Sequence, residues 1–91
     1  MATPTPQQID SLLQIGIQHF VPIDKIQAIL DTAGSAMKKM RDDAYRRGQL
    51  VMATNGEKAR SMILLETNYL ILSARSAEEL QAEWNKKKSK A

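Results

Sequence analysis

Two apolar runs near the middle of the chain, Met62–Leu65 and Tyr69–Ser73, load both faces of any strand they form. A half-buried antiparallel strand alternates, because one of its faces meets water. Here Met62 and Leu64 fall on one face and Ile63 and Leu65 on the other, and Leu70, Ile71 and Leu72 do the same. A buried helix gives the same short runs, but their length, the turn residues around them and their β-branched and aromatic members favour strand. Both sides of the sheet then need a cover.

The connections around these runs read as tight turns. Asn55-Gly56 readily supplies two positive-φ positions, so a two-residue hairpin is expected to pair Thr54 with Glu57, Ala53 with Lys58 and Val51 with Arg60. Thr67-Asn68 returns the chain for a third strand. The expectation is a meander with charge at its first tip.

A chain of 91 residues is one domain with a small core. It has no cysteine, which excludes disulfides and thiolate metal sites. The first residues lack the basic and apolar regions of a signal peptide, and no apolar run reaches membrane-spanning length, so a cytoplasmic protein with no membrane partner is expected. The net charge of +3 is unevenly placed. Lys86, Lys87, Lys88 and Lys90 carry four positive charges, whereas residues 1–85 hold nine Lys or Arg against ten Asp or Glu. Electrostatic binding must come from a local patch or from the tail.

In chain order, residues 1–8 with Pro4 and Pro6 read as a disordered arm, residues 9–85 as a single domain and residues 86–91 as a solvated basic tail. A first strand reaches about Ile17, with helix competing over residues 7–14, and Gly16 marks a bulge or a close backbone approach. Gln18–Pro22 reads as a loop or irregular edge. Lys25–Asp31 alternates as a second strand, with Ile26, Ala28 and Leu30 on one face. Ser35 can cap a helix running to Arg47, ended by Gly48 and striped by Ala36, Met37, Met40 and Ala44, with Tyr45 beside them. Four i,i+4 charge pairs, from Lys38–Asp42 to Asp43–Arg47, support it. Ser76-Ala-Glu-Glu79 is a capping box for a short last helix with Ala77, Leu80 and Trp84 on one face. The fold class is therefore α/β in the α+β sense: a small twisted, mostly antiparallel sheet, one central helix and a C-terminal helix. With one firm helix for two apolar faces, other copies of the chain are expected to complete the cover.

No residue pattern indicates an enzyme, a metal site or a cofactor. His19 is the sole histidine and has no partner at the spacing of a metal site or a base-assisted nucleophile. Gly34, Gly48 and Gly56 read as helix boundaries and a turn, not as a phosphate loop. The hairpin tip is the binding candidate: Lys58 and Arg60 share a face by strand periodicity, and folding could bring Lys25, Lys38, Lys39, Arg46 and Arg47 beside them. Such a pair alone is an ordinary solvated surface. Repeated around an oligomer, it becomes a multivalent phosphate-binding one.

With these residues in view, the chain resembles the RemA family of extracellular matrix regulatory proteins, also described as DUF370. The resemblance spans about residues 12–84 and rests on Ile15-Gly16, Lys38-Lys39, Arg47-Gly48-Gln49-Leu50-Val51, Ala53-Thr54-Asn55-Gly56, Arg60 and Tyr69-Leu-Ile-Leu-Ser-Ala74. It implies a small α/β fold that assembles into rings and a DNA-binding regulator of biofilm matrix genes. The family's Gly-Arg-Arg-Thr-Arg signature falls on Gly56-Glu57-Lys58-Ala59-Arg60, and its further basic DNA contact falls on Lys25. The resemblance thus implies Lys25, Lys58 and Arg60 as contacts to double-stranded DNA. Glu57 departs from the signature by placing a carboxylate where an arginine stands, and Met52, Asn55 and Ala36 also depart from the family pattern. A structural or protein-interaction homo-oligomer without DNA binding is the competing reading.

Overall fold

The computed structural model describes residues 11–90, the side chain of Lys90 apart. The proposed N-terminal arm lies outside the described residues. Six strands and two helices follow in order: β1 (Leu12–Gly16), β2 (His19–Pro22), a 3-10 turn (Ile23–Lys25), β3 (Ile26–Asp31), α1 (Ser35–Arg46), β4 (Leu50–Ala53), β5 (Ser61–Leu65), β6 (Leu70–Ser73) and α2 (Ala77–Lys90). The strands divide into a β1–β2 hairpin and a four-stranded sheet of order β3-β5-β6-β4. This is the expected α+β class.

The sheet is not the expected meander. The Asn55-Gly56 turn forms, with φ of 53° and 85°, and the Glu57 N–H donates to the Thr54 carbonyl at 3.0 Å. The flanking strands do not pair with each other. Instead β4 pairs in parallel with β6, matching Val51 with Ile71 and Ala53 with Ser73, while β5 and β6 form an antiparallel pair. The physical reason lies in the side chains. Leu70, Ile71 and Leu72 are all buried and favour an inner position, whereas β4 exposes Val51 and Met52 and suits an edge. The second turn behaves as expected: Asn68 takes φ 69°, its N–H donates to the Leu65 carbonyl at 3.0 Å, and the Leu65 N–H donates to the Tyr69 carbonyl at 2.9 Å.

Both faces of the sheet are covered, as the double apolar loading requires. On one face Ile63, Ile71 and Ala53 meet Leu13, Ile15 and Val21 of the β1–β2 hairpin and Leu80 and Trp84 of α2. On the other, Met62, Leu70 and Leu72 meet Ala44, with Met37 and Met40 of α1 against them. The segment read as an irregular edge, Gln18–Pro22, is thus largely a strand, and the hairpin it completes supplies much of the cover expected from other copies. The β3 alternation also changes: a bulge between Ile26 and Ala28 shifts the register, so Ile26 and Ile29 reach the first cluster and Leu30 the second.

The helices differ from expectation at their ends. Gly34, not Ser35, is the N-cap of α1, with no side-chain cap bond, while Asp31 Oδ1 accepts the Thr32 and Ala33 N–H groups at 2.6 and 3.2 Å. At the other end the Gly48 N–H reaches the Tyr45 carbonyl and the Gln49 N–H the Ala44 carbonyl, a left-handed glycine terminator at φ 71°. Ala36 and Tyr45 are exposed, and Asp43–Arg46 at 3.8 Å is the one ion pair within α1 among the described residues. On α2 the Ser76 hydroxyl accepts the Glu79 N–H at 3.1 Å, but Glu79 turns to Arg75 and leaves the capping box half made. The helix then continues through the lysines expected to form a tail.

Two contacts fix the layer of β1, β2 and α2. Gly16 lies in a bulge, and a Cβ there would stand 2.6 Å from the Ala53 carbonyl oxygen, which no side chain tolerates. Arg75 donates to the Gln14 carbonyl at 2.6 Å, to Glu79 and to both Glu83 oxygens at 2.8 and 3.1 Å, joining β1 to α2. The hydrogen bond from Arg75, with its positive charge, holds the Glu83 carboxyl below its ordinary range.

Gly16→Ala is expected to destabilise the fold by about 1–3 kcal/mol through overpacking against backbone, read as a lower urea midpoint with an unchanged slope. The Glu83 pKa is lowered on folding, so its stabilising contribution is present above the unfolded carboxylate value of about 4.3 and is lost as pH falls through the folded value. Trp84 emission, followed from pH 6 to 2, should report loosening of α2 in acid. Glu83→Gln should flatten that dependence and lower stability at pH 7.

Candidate nucleic-acid interface

The segment between β4 and β5 is held at both ends. Its entry follows Ala53, which is locked against Gly16, and the Ser73 hydroxyl donates to the Ile15 carbonyl at 2.5 Å to pin β1 over the same spot. At its exit the Arg60 N–H donates to the Ser73 carbonyl at 2.7 Å. Between them Ala59 turns inward to the Met62 and Leu72 cluster, while Lys58 and Arg60 are exposed on either side of it. The two cations therefore project outward because the small residue between them is tied to the core. Neither lies in a strand, so the shared exposure expected from strand periodicity arises from a different local structure.

Lys25 is not beside them. It ends the 3-10 turn, its carbonyl accepts the Glu66 N–H at 2.9 Å, and β3 begins opposite Leu65. Arg60 precedes Ser61 at the other end of β5, and five strand residues separate the sites by roughly 17 Å. Lys38, Lys39 and Arg46 lie on α1, across the sheet from α2. Within one copy, Lys58 and Arg60 form the compact pair and Lys25 stands apart.

A groove of about 970 Å³ runs beside the loop. Ile15, Ile17 and Phe20 form part of its apolar wall, and Glu57 of the loop and Lys86 and Lys87 of α2 also line it. Arg75 also lines it, but its five hydrogen bonds to Gln14, Glu79 and Glu83 use all five guanidinium donors. Those bonds, Glu83 first, hold the Arg75 pKa above its usual value and keep the group charged. It is a structural clamp and has no donor left for a ligand.

Sequence reasoning missed two features of this site. Arg75, Glu79 and Glu83 stand at four-residue intervals, the spacing of neighbours along one helix face, and that signal was available. The placement of Lys86 and Lys87 was also available in part, because no glycine or proline follows Trp84 to stop the helix. Lys88 instead caps the Trp84 ring, its Nζ 3.7 Å from the centroid.

Among the described residues no helix is long and apolar enough to cross a membrane. Comparison with known proteins gives a consistent picture of kinship. The RemA-like family, described as extracellular matrix regulatory protein A-like, matches residues 12–83. A relative from Maridesulfovibrio salexigens is 41% identical over 73 residues, covering 80% of this chain and 85% of its own. One from Nitratidesulfovibrio vulgaris is 42% identical over 67 residues, covering 74% and 76%. Another, from Thermotoga maritima, is 39% identical over 69 residues, covering 76% and 75%. All three are named as regulatory proteins, with no ligand or partner in the name. The match takes in both sheets, α1 and the first half of α2, and the chain belongs to the RemA-like family.

Proposed function

We propose that this protein is a non-enzymatic, cytoplasmic regulator that binds double-stranded DNA through its phosphate backbone, using repeated copies of the 54–60 loop in a ring-like homo-oligomer. The observation that carries this reading is the anchored loop: Lys58 and Arg60 point outward because Ala59 packs inward and both loop ends are fixed on β6 and β1. A cation held in place loses less freedom on meeting a phosphate than one on a mobile tail. The regulatory names of the relatives support the same direction.

Two cations per copy give weak binding, so the reading needs several loops on one duplex. In this reading Lys25 contributes through the assembly, which has to bring the far end of one sheet beside the loop of a neighbouring copy. The contacts position the backbone and carry no base-reading set, so selectivity rests on DNA shape. The competing reading, a protein-interaction ring, draws on exposed Glu57 at the loop and on Ile17 and Phe20, 73% and 55% exposed beside the groove.

Fluorescence anisotropy with a labelled duplex tests the assignment. The Lys58→Ala/Arg60→Ala protein should bind at least tenfold more weakly at low salt, with a shallower dependence of affinity on salt. Unchanged affinity from a folded double variant would remove the loop from the interface. Light scattering on the same samples should give a mass several times that of one chain; a monomer that binds as tightly would contradict the multivalent reading.

A further inference from the structure

The excess positive charge of this chain does not sit on the 54–60 loop. Residues 1–85 carry one more acidic than basic side chain, and four lysines follow. Those lysines lie on α2, which continues to Lys90. The helix is fixed to the body: Leu80 is fully buried, the Trp84 indole N–H donates to the Ile23 carbonyl at 3.1 Å, and Arg75 holds Glu79 and Glu83. Successive residues turn by about 100° around a helix. Lys86 and Lys87 line the groove together with Asn55 and Glu57 of the loop, while Lys88 turns onto the Trp84 ring.

We infer that α2 supplies a second set of phosphate contacts, Lys86 and Lys87, so that a DNA backbone lies against both the helix and the 54–60 loop. This rests on the DNA reading above and adds residues to it. Lysines in the last turn of a helix also offset its macrodipole, but that effect is met wherever their side chains point. It does not account for two of them lining the groove beside the loop. Arg75 is excluded from the contact set because its donors are engaged. Glu57, which also lines the groove, opposes an incoming phosphate.

The test is anisotropy titration of a labelled duplex with the full chain at two salt concentrations. Lys86→Gln/Lys87→Gln should weaken binding about tenfold and flatten the salt dependence. Lys38→Gln/Lys39→Gln, the same change in charge on α1, should alter affinity less than threefold. Glu57→Gln should tighten binding. Circular dichroism and Trp84 emission confirm that each variant keeps α2 docked. Wild-type affinity in the α2 variant, with loss in the Lys58→Ala/Arg60→Ala protein, would overturn this inference and leave the loop reading intact. An equal loss in the α1 variant would also overturn it, by showing a response to net charge alone. A wild-type protein with no affinity for the duplex would overturn both.

Discussion

A strand buried on both faces has no polar side to offer water, and the arrangement around β6 follows from that constraint. Leu70, Ile71 and Leu72 are all buried, and full burial of such side chains contributes about 1.5–3 kcal/mol each. Keeping water from both faces requires two covering layers, one of α1 and one of the β1–β2 hairpin with α2. It also requires a neighbour along each edge, which β5 and β4 provide. Ser73 and Ser61 show how polar atoms survive in this setting: the Ser73 hydroxyl donates to Ile15 and accepts from the Arg75 N–H at 3.1 Å, and the Ser61 hydroxyl donates to the Arg75 carbonyl at 2.7 Å. The same bonds that satisfy the core fasten the outer layer to it.

Much of this was legible because local chemistry and tertiary structure agree. Gly48 ends α1 in the left-handed region, Asn68 closes the β5–β6 hairpin, Gly16 marks both a bulge and a close approach, and Ser76 caps α2. Asn55-Gly56 is the instructive departure. The dipeptide makes its turn, but a turn sets only the reversal of the chain and not which strand lies alongside. The demand of β6 for a partner on each side decides that, and it places β6 between the two strands the turn connects. Likewise, a single bulge after Ile26 reverses the faces of the rest of β3, which alternation alone cannot register.

The candidate interface was legible in kind more than in place. Lys58 and Arg60 emerge together because Ala59 is drawn into the core, while Lys25 falls at the far end of the sheet. Lys86 and Lys87 acquire a position because Trp84 and Leu80 dock α2 and the Arg75 clamp orients it. The core thereby sets the electrostatics. Buried residues hold Lys86 and Lys87 at the groove, and Glu57 and Glu83 temper the charge there. On the proposed DNA reading, a surface with this balance calls for repeated, weak, salt-sensitive contacts and not one tight site.

Amide hydrogen exchange on the full chain, with and without a DNA duplex at low salt, is the most direct probe of a surface built from the loop and the last helix together. Slower exchange in both residues 54–60 and the C-terminal half of α2, with α1 unchanged, is the predicted result. Protection confined to α1, or no change in either segment under conditions where the duplex is bound, would contradict the account.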